Sequence, residues 1–173
     1  LKAPGSRHGI FRFRLNHLKA SIVMDTFPKV MKFCFPGVEY KLNKTDLVYT
    51  FPNGSEIHCC GLDDKERTEK ILGLEFVTLY HNECSQTPLA SIDLAQSRLA
   101  QKVDQVVEGM ETRPLKPRVF YDCNPPTKAH WTYKRFVLKI DPETREPVGD
   151  PANYVAFKIN PKDNADNISE EYF

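Results

Sequence analysis

The chain has 173 residues, 40% hydrophobic and 27% charged, with 11 Phe and 7 Tyr available for a core; that is about one globular domain and too little for a multi-domain machine. Its 24 Lys and Arg against 23 Asp and Glu leave a formal charge of +1, which excludes a strongly basic nucleic-acid coat but not a local basic patch. Apolar stretches end after a handful of residues, far short of the roughly 20 needed to span a bilayer.

The first residues (LKAPGSRHG) carry neither an initiator Met nor an apolar leader, and they read as a cut edge. Residues 9–15 (GIFRFRL) alternate Phe11, Phe13 and Leu15 with Arg12 and Arg14, the period of a short strand. Leu18, Ile22, Phe27 or Met24, Val30, Met31 and Phe33 recur at near-helical spacing up to Phe35, and Pro36-Gly37 stops that helix. Pro28 inside the run predicts a kink or a break into two helices. Residues 47–51 and 56–60 flank Pro52-Asn53-Gly54-Ser55, and Asn-Gly between alternating segments signals a hairpin. Residues 63–70 (DDKERTEK) read as a solvated helical turn or loop, and 74–80 (LEFVTLY) as a buried strand ending at His81-Asn82-Glu83.

Thr87 reads as an N-cap with Pro88 at the first helical position. Leu89, Ile92, Leu99, Val103 and Val106 mark the buried stripe of a helix that reaches about Val107 and ends at Gly109. Residues 118–121 (RVFY) form a second buried strand that runs into Asp122-Cys123-Asn124-Pro125-Pro126. Residues 130–136 have helical or turn character, 140–153 form a Pro-rich charged loop, and 154–158 (YVAFK) read as a strand before a polar tail. Five cysteines without a C-x-x-C pair fit a reducing cytosol better than a disulfide framework.

Strands alternating with helices specify an α/β fold with a largely parallel sheet and one hairpin insertion. Ligands of such sheets bind beyond the carboxyl ends of the strands, which singles out Asn82-Glu83 and the segment from Asp122 to Asn124. An apolar strand ending in an amide or carboxylate and then a Glu has the form of a Walker B element: a short oxygen ligand holds the water shell of Mg²⁺, and the Glu polarises the water that attacks a γ-phosphate. Asn82 would take the metal side and Glu83 the base position; the competing reading makes both the start of a turn before Thr87.

Other constellations are weaker. His81-x-Glu83 matches half of a zinc deaminase signature, but P-C-x-x-C is absent. Cys84 does not pair with His81 as a nucleophile, because residues three apart on an extended segment point to opposite faces. His58, Cys59 and Cys60 alternate across a strand and do not converge. Arg12 with Arg14, and Lys65 with Arg67 and Lys70, form basic groups that either touch phosphate or are simply solvated. Trp131 beside Tyr133, Lys134 and Arg135 is a base-stacking surface or a hydrophobic anchor. None of the glycines is followed by Lys, so the chain contains no G-x-x-x-x-G-K-[ST] loop.

The order of FPNGSEI (51–57), GLDD (61–64), KILG (70–73), YHNEC (80–84), RLAQ (98–101), DCNP (122–125), His130-Trp131 and NPKDN (160–164) resembles the ATPase domain of the large subunit of tailed-phage terminases, the motor that packages viral DNA. The likeness runs from about residue 9 to the end. It implies a P-loop-NTPase-like three-layer fold that is incomplete at the N-terminus, its Walker A part preceding residue 1 and a nuclease domain following residue 173. Residues 1–173 are then one partial ATPase domain, with a core over 9–139, a loop over 140–153, and a strand and tail over 154–173. The resemblance implies Glu83 as the catalytic carboxylate, Asn82 holding a metal-bound water, Asn124 sensing the γ-phosphate, and Arg67 or Lys70 presented to a neighbouring subunit's nucleotide. It implies ATP and Mg²⁺ as cofactors of the complete protein, with neither expected on this fragment. The implied partners are double-stranded DNA, a small terminase subunit, the portal and further copies in a ring, without a membrane and in the cytoplasm of a bacterial host. The alternative is a non-catalytic α/β module, either a prophage remnant or a protein that binds DNA or a partner.

Overall fold

Ile10 and Phe11 are neighbours on one strand and so face opposite sides of the sheet, and helices cover both sides. The computed structural model describes residues 2–167, without the side chains of Lys65, Glu66, Arg67, Lys70, Asn164 and Asn167, and divides after Asn124 into two units. In the first unit, β1 (Arg7–Arg12), β4 (Glu56–Gly61), β5 (Thr78–His81) and β8 (Arg118–Tyr121) run parallel. The strands β2 (Lys41–Asn43) and β3 (Val48–Thr50) add on antiparallel, giving the order β2-β3-β4-β1-β5-β8. The predicted hairpin is the β3–β4 connection: Gly54 takes φ +77°, which glycine adopts without strain, and Phe51 N–H donates to the Ser55 carbonyl at 2.9 Å.

On one face, Ile10, Tyr49, Ile57 and Cys59 pack against Leu18, Ile22, Val23, Phe27 and Met31 of the helical run 15–34. On the other, Phe11 and Leu79 pack against Ile71 of α3 (Lys65–Leu72) and Ala95 of α4 (Leu89–Gln96). This is the expected three-layer α/β arrangement with a mainly parallel sheet, its central strands covered on both sides. Each fully buried Leu, Ile or Phe contributes about 1.5–3 kcal/mol to it. Gly61 closes β4 where any Cβ would lie 2.7 Å from the backbone nitrogen of Leu15, so a side chain there would push the helical run off the sheet. No helix among the described residues is long and apolar enough to cross a membrane.

Pro28 does not split the helical run. α1 (Leu15–Leu18) passes into a π-helical stretch, Lys19–Thr26, and then into α2 (Phe27–Cys34) with Pro28 in its first turn. The wider turn, in which Phe27 N–H bonds the Ile22 carbonyl, relieves the clash a proline ring makes with the carbonyl four residues back. Continuing that pattern, residue 28 should donate to Val23, and proline has no N–H to give. The Tyr49 hydroxyl donates instead, at 3.2 Å, while its ring stacks on Phe27 with centroids 3.8 Å apart.

Several elements differ from expectation for identifiable reasons. β1 begins at Arg7 and stops at Arg12, because Leu62 N–H bonds the carbonyls of Arg12 and Phe13 and the chain turns there into α1. β5 begins only at Thr78, since Phe76 pairs through its backbone with Arg98 and Gln101. That pairing also draws the chain away after Gln96, so the helix does not reach Val107 and Leu99, Val103 and Val106 lie outside it. Residues there instead form a small ribbon, β6 (Asp104–Gln105) with β7 (Arg113–Pro114). Thr87 is not the cap of α4: Pro88 holds that place, its carbonyl accepting from Ser91 and Ile92. The strand over RVFY is present but not buried: β8 ends the sheet order, and its Phe120 is half-exposed.

In residues 125–167, Trp131 lies beside Phe136 and Phe136 beside Tyr154, at centroid separations of 6.4 and 6.0 Å, around a π-helical turn Tyr133–Leu138. Trp131 is buried, with the Arg135 guanidinium over its ring, as a hydrophobic anchor would be. Residues 154–158 do not form the expected strand. Val155, Phe157 and Ile159 are 59%, 88% and 80% exposed, and an extended segment becomes a strand only when a neighbour takes up its N–H and C=O groups.

Candidate functional site at the strand ends

The carboxyl ends of β1, β5 and β8 lie in register, with Phe11 beside His81 and His81 beside Tyr121. The residues that follow each strand are therefore neighbours. The ladder runs one step further, Asn82 N–H donating to the Phe11 carbonyl at 2.8 Å and Asp122 N–H to the His81 carbonyl at 3.1 Å.

The buried Asn82 amide nitrogen donates to both carboxylate oxygens of Asp122, at 3.1 and 3.3 Å, and reaches the Tyr80 hydroxyl at 3.5 Å. Asn82 Oδ1 accepts from Arg12 Nη1 at 3.3 Å, and the same nitrogen donates to Ser21 Oγ at 3.0 Å. Glu83 N–H donates to Asp122 Oδ1 at 3.1 Å, and Cys84 N–H to the Asp122 carbonyl at 2.9 Å. Glu83 sits at φ 51°, ψ 45°, a left-handed conformation that costs a residue with a Cβ roughly 1–2 kcal/mol. Strain of this kind persists where the surroundings over-determine it, here through the bonds on either side of Glu83. Burial, together with the Asp122 carboxylate, raises the Tyr80 hydroxyl to about 12, so it remains a donor at neutral pH.

His81 is 1% exposed, stacked on Tyr121 with centroids 5.1 Å apart and tilted against Phe11. Neither ring nitrogen has a partner, and burial lowers its pKa to about 4. His81 is thus a neutral packing residue on the face covered by α3 and α4.

The structure sets Asn82 and Glu83 beside Asp122, a residue of the second segment that the sequence singles out but to which it gives no individual role. The available signal is parity: Asn82 follows TLYH as Asp122 follows RVFY, and parallel pairing of the two strands sets them side by side. Asn124 lies two residues further on, exposed, with no hydrogen bond to this cluster among the described residues. Arg67 and Lys70 belong to α3, and their side chains lie outside the described residues. No group of three or more His, Cys, Asp or Glu among the described residues is placed to hold a metal ion. As arranged, Asn82 is a bracket between a guanidinium and a carboxylate.

The sheet order and the cluster beyond its carboxyl ends define an α/β protein with a mainly parallel sheet. No model of a known family matches the chain, and no curated protein does. Among solved structures, it is similar to the large terminase of a thermophilic bacteriophage, with a TM-score of 0.71 and 16% identity over 97% of this chain and 36% of that one. Against the ADP complex of that terminase the TM-score is 0.68, at 18% identity over 97% of this chain and 36% of the other. Against its ATP-γ-S complex it is 0.66, at 18% identity over 98% and 35%. The chain therefore spans about a third of the length of the proteins it matches and has their fold over that span.

Proposed function

We propose that the chain is the carboxylate-bearing part of an ATP-driven DNA-packaging motor of the large-terminase kind, coupling hydrolysis to translocation of double-stranded DNA. The observation that carries this reading is the place of Asn82-Glu83: at the carboxyl end of β5, clamped from β8 by Asp122, in a fold shared with a terminase solved with ADP and with ATP-γ-S. Glu83 orients the attacking water and accepts its proton. Asn82 takes the metal side through a water bonded to the second lone pair of its amide oxygen, beside the bond from Arg12. Bound ATP and Mg²⁺ supply the phosphoanhydride and the neutralising charge. Asn124 follows the γ-phosphate, and Arg67 or Lys70 reaches a neighbouring subunit's nucleotide in a ring. A small terminase subunit and the portal complete the assembly, in a bacterial cytoplasm. Turnover also needs a phosphate-cradling Gly-Lys-[Ser/Thr] loop, which the sequence does not contain.

One observation favours a second, non-catalytic reading as a module that binds DNA or a partner. Asn82 stands where the chemistry wants a negative oxygen, and both ends of its amide are already engaged. ATP hydrolysis separates the readings. Joined to a P-loop strand and helix, this segment should turn over ATP and lose that activity on Glu83→Gln while still binding nucleotide; turnover no faster than background, with or without Glu83→Gln, supports the binding module.

A further inference from the structure

Residues 155–159 (VAFKI) run between a 3₁₀ turn, Pro151–Asn153, and Pro161, and among the described residues none of their backbone N–H or C=O groups has a hydrogen bond. Tyr154 leads into them with extended backbone, φ −108° and ψ 103°, its ring beside Phe136. Side chains alternate along an extended chain, so Val155, Phe157 and Ile159 share one side; all three are largely exposed, Phe157 most of all. Unmade backbone bonds beside a row of apolar side chains are a template for pairing with another chain. We propose that this segment is a self-association site, occupied by the same segment of a second copy in an antiparallel two-fold ribbon centred on Phe157.

The order of residues selects that occupant. About a two-fold axis at Phe157, Phe157 faces its own copy, Val155 faces Ile159, and Lys158 faces Ala156. Every large apolar residue of the row then pairs across the ribbon, and no two charges stand opposite each other. Centring on Lys158 would set two lysines face to face, and centring on Ala156 would put Ile159 against Asn153. A two-fold contact uses one surface on both copies, so it closes at a dimer and does not grow into a fibre. Pro161 has no N–H to donate and bounds the ladder on one side. A ribbon this short is small beside the roughly 1,200 Å² that stable interfaces bury, so the dimer is weak and dissociates on dilution. The ribbon uses none of the residues at the strand ends, and the inference is independent of the ATPase reading.

The test uses the whole chain with Cys34→Ser, which removes an exposed thiol that would otherwise link molecules. Sedimentation equilibrium should show a reversible monomer–dimer equilibrium between roughly 10 µM and 1 mM, where weak contacts become populated, and Phe157→Lys should stay monomeric throughout. Cysteine linkage reads the register, because facing residues of an antiparallel pair lie within disulfide reach. Oxidised with copper phenanthroline at the upper concentration and mapped by peptide mass, Phe157→Cys should link to itself, and Val155→Cys should link to Ile159→Cys when the two are mixed. Val155→Cys alone should link to itself about ten-fold more slowly than Phe157→Cys does, its copy lying four residues away along the ribbon. A chain monomeric over the whole range, a Phe157→Lys variant that still dimerises, or Val155→Cys linking to itself as readily as Phe157→Cys would overturn the proposal.

Discussion

Asn82 and Asp122 lie side by side at the ends of two parallel strands, one amide nitrogen bonding both carboxylate oxygens at 3.1 and 3.3 Å. Arg12 on the other side of the amide fixes its orientation: turned over, its oxygen would face a carboxylate and its NH₂ a guanidinium. The strand ends are thus held around a neutral residue, and the negative charge comes from the neighbouring strand.

Asn82→Asp removes the donor and sets two carboxylates against each other, a loss of about 1–3 kcal/mol at pH 7. Urea unfolding should show that loss shrinking towards pH 4–5, as one carboxyl takes up a proton. Adding Asp122→Asn restores a donor facing an acceptor, so the double variant should recover most of the stability. A double variant no more stable than Asn82→Asp alone would show that the pair does not hold the strand ends.

Tyr49→Phe leaves the buried Val23 carbonyl without its hydroxyl donor, at an expected cost of about 1–2 kcal/mol. In a Pro28→Ala background the restored backbone N–H takes over that carbonyl, and the same change should cost under about 0.5 kcal/mol on the same bookkeeping. Equal costs in the two backgrounds would mean that proline is not what leaves Val23 to Tyr49.

His81 should make the fold acid-sensitive. Its folded pKa is lowered from 6.5 to about 4, so its contribution is complete above pH 6.5 and is lost as pH falls from 6.5 towards 4. Between pH 7 and pH 5 this amounts to about 2 kcal/mol. His81→Phe keeps the packing against Tyr121 and Phe11 and removes the titration, so its denaturation midpoint should fall less over that range. Parallel pH profiles for the two proteins would count against a neutral, unpartnered imidazole.

The elements that can be read from sequence are those whose signal is local. Asn53-Gly54 specifies its hairpin through backbone preference, and the β-branched and aromatic content of RVFY specifies a strand, though not that the strand lies at the sheet edge with Phe120 half-exposed. The misread elements are decided by remote partners. Nothing near Gln96 announces that Phe76 will take the backbone of Arg98 and Gln101 and end the helix early. Pro28 predicts a disruption, but its π-helical resolution depends on a hydroxyl from β3. Tyr154 to Lys158 has the composition of a strand, yet no ladder forms there among the described residues. At the site, Asn82-Glu83 stands out because a strand ends there, whereas the role of Asp122 requires knowing that β5 and β8 are adjacent and in register.

The central claim is that Glu83 is the catalytic carboxylate. Its most direct test is ATP turnover at saturating nucleotide by a subunit that unites this segment with a phosphate-cradling loop, with and without Glu83→Gln, alongside binding of a non-hydrolysable analogue. The account predicts a fall of roughly 10²- to 10⁴-fold in turnover, the range of general-base catalysis, with analogue binding unchanged. Turnover that survives the substitution within a few fold would contradict it.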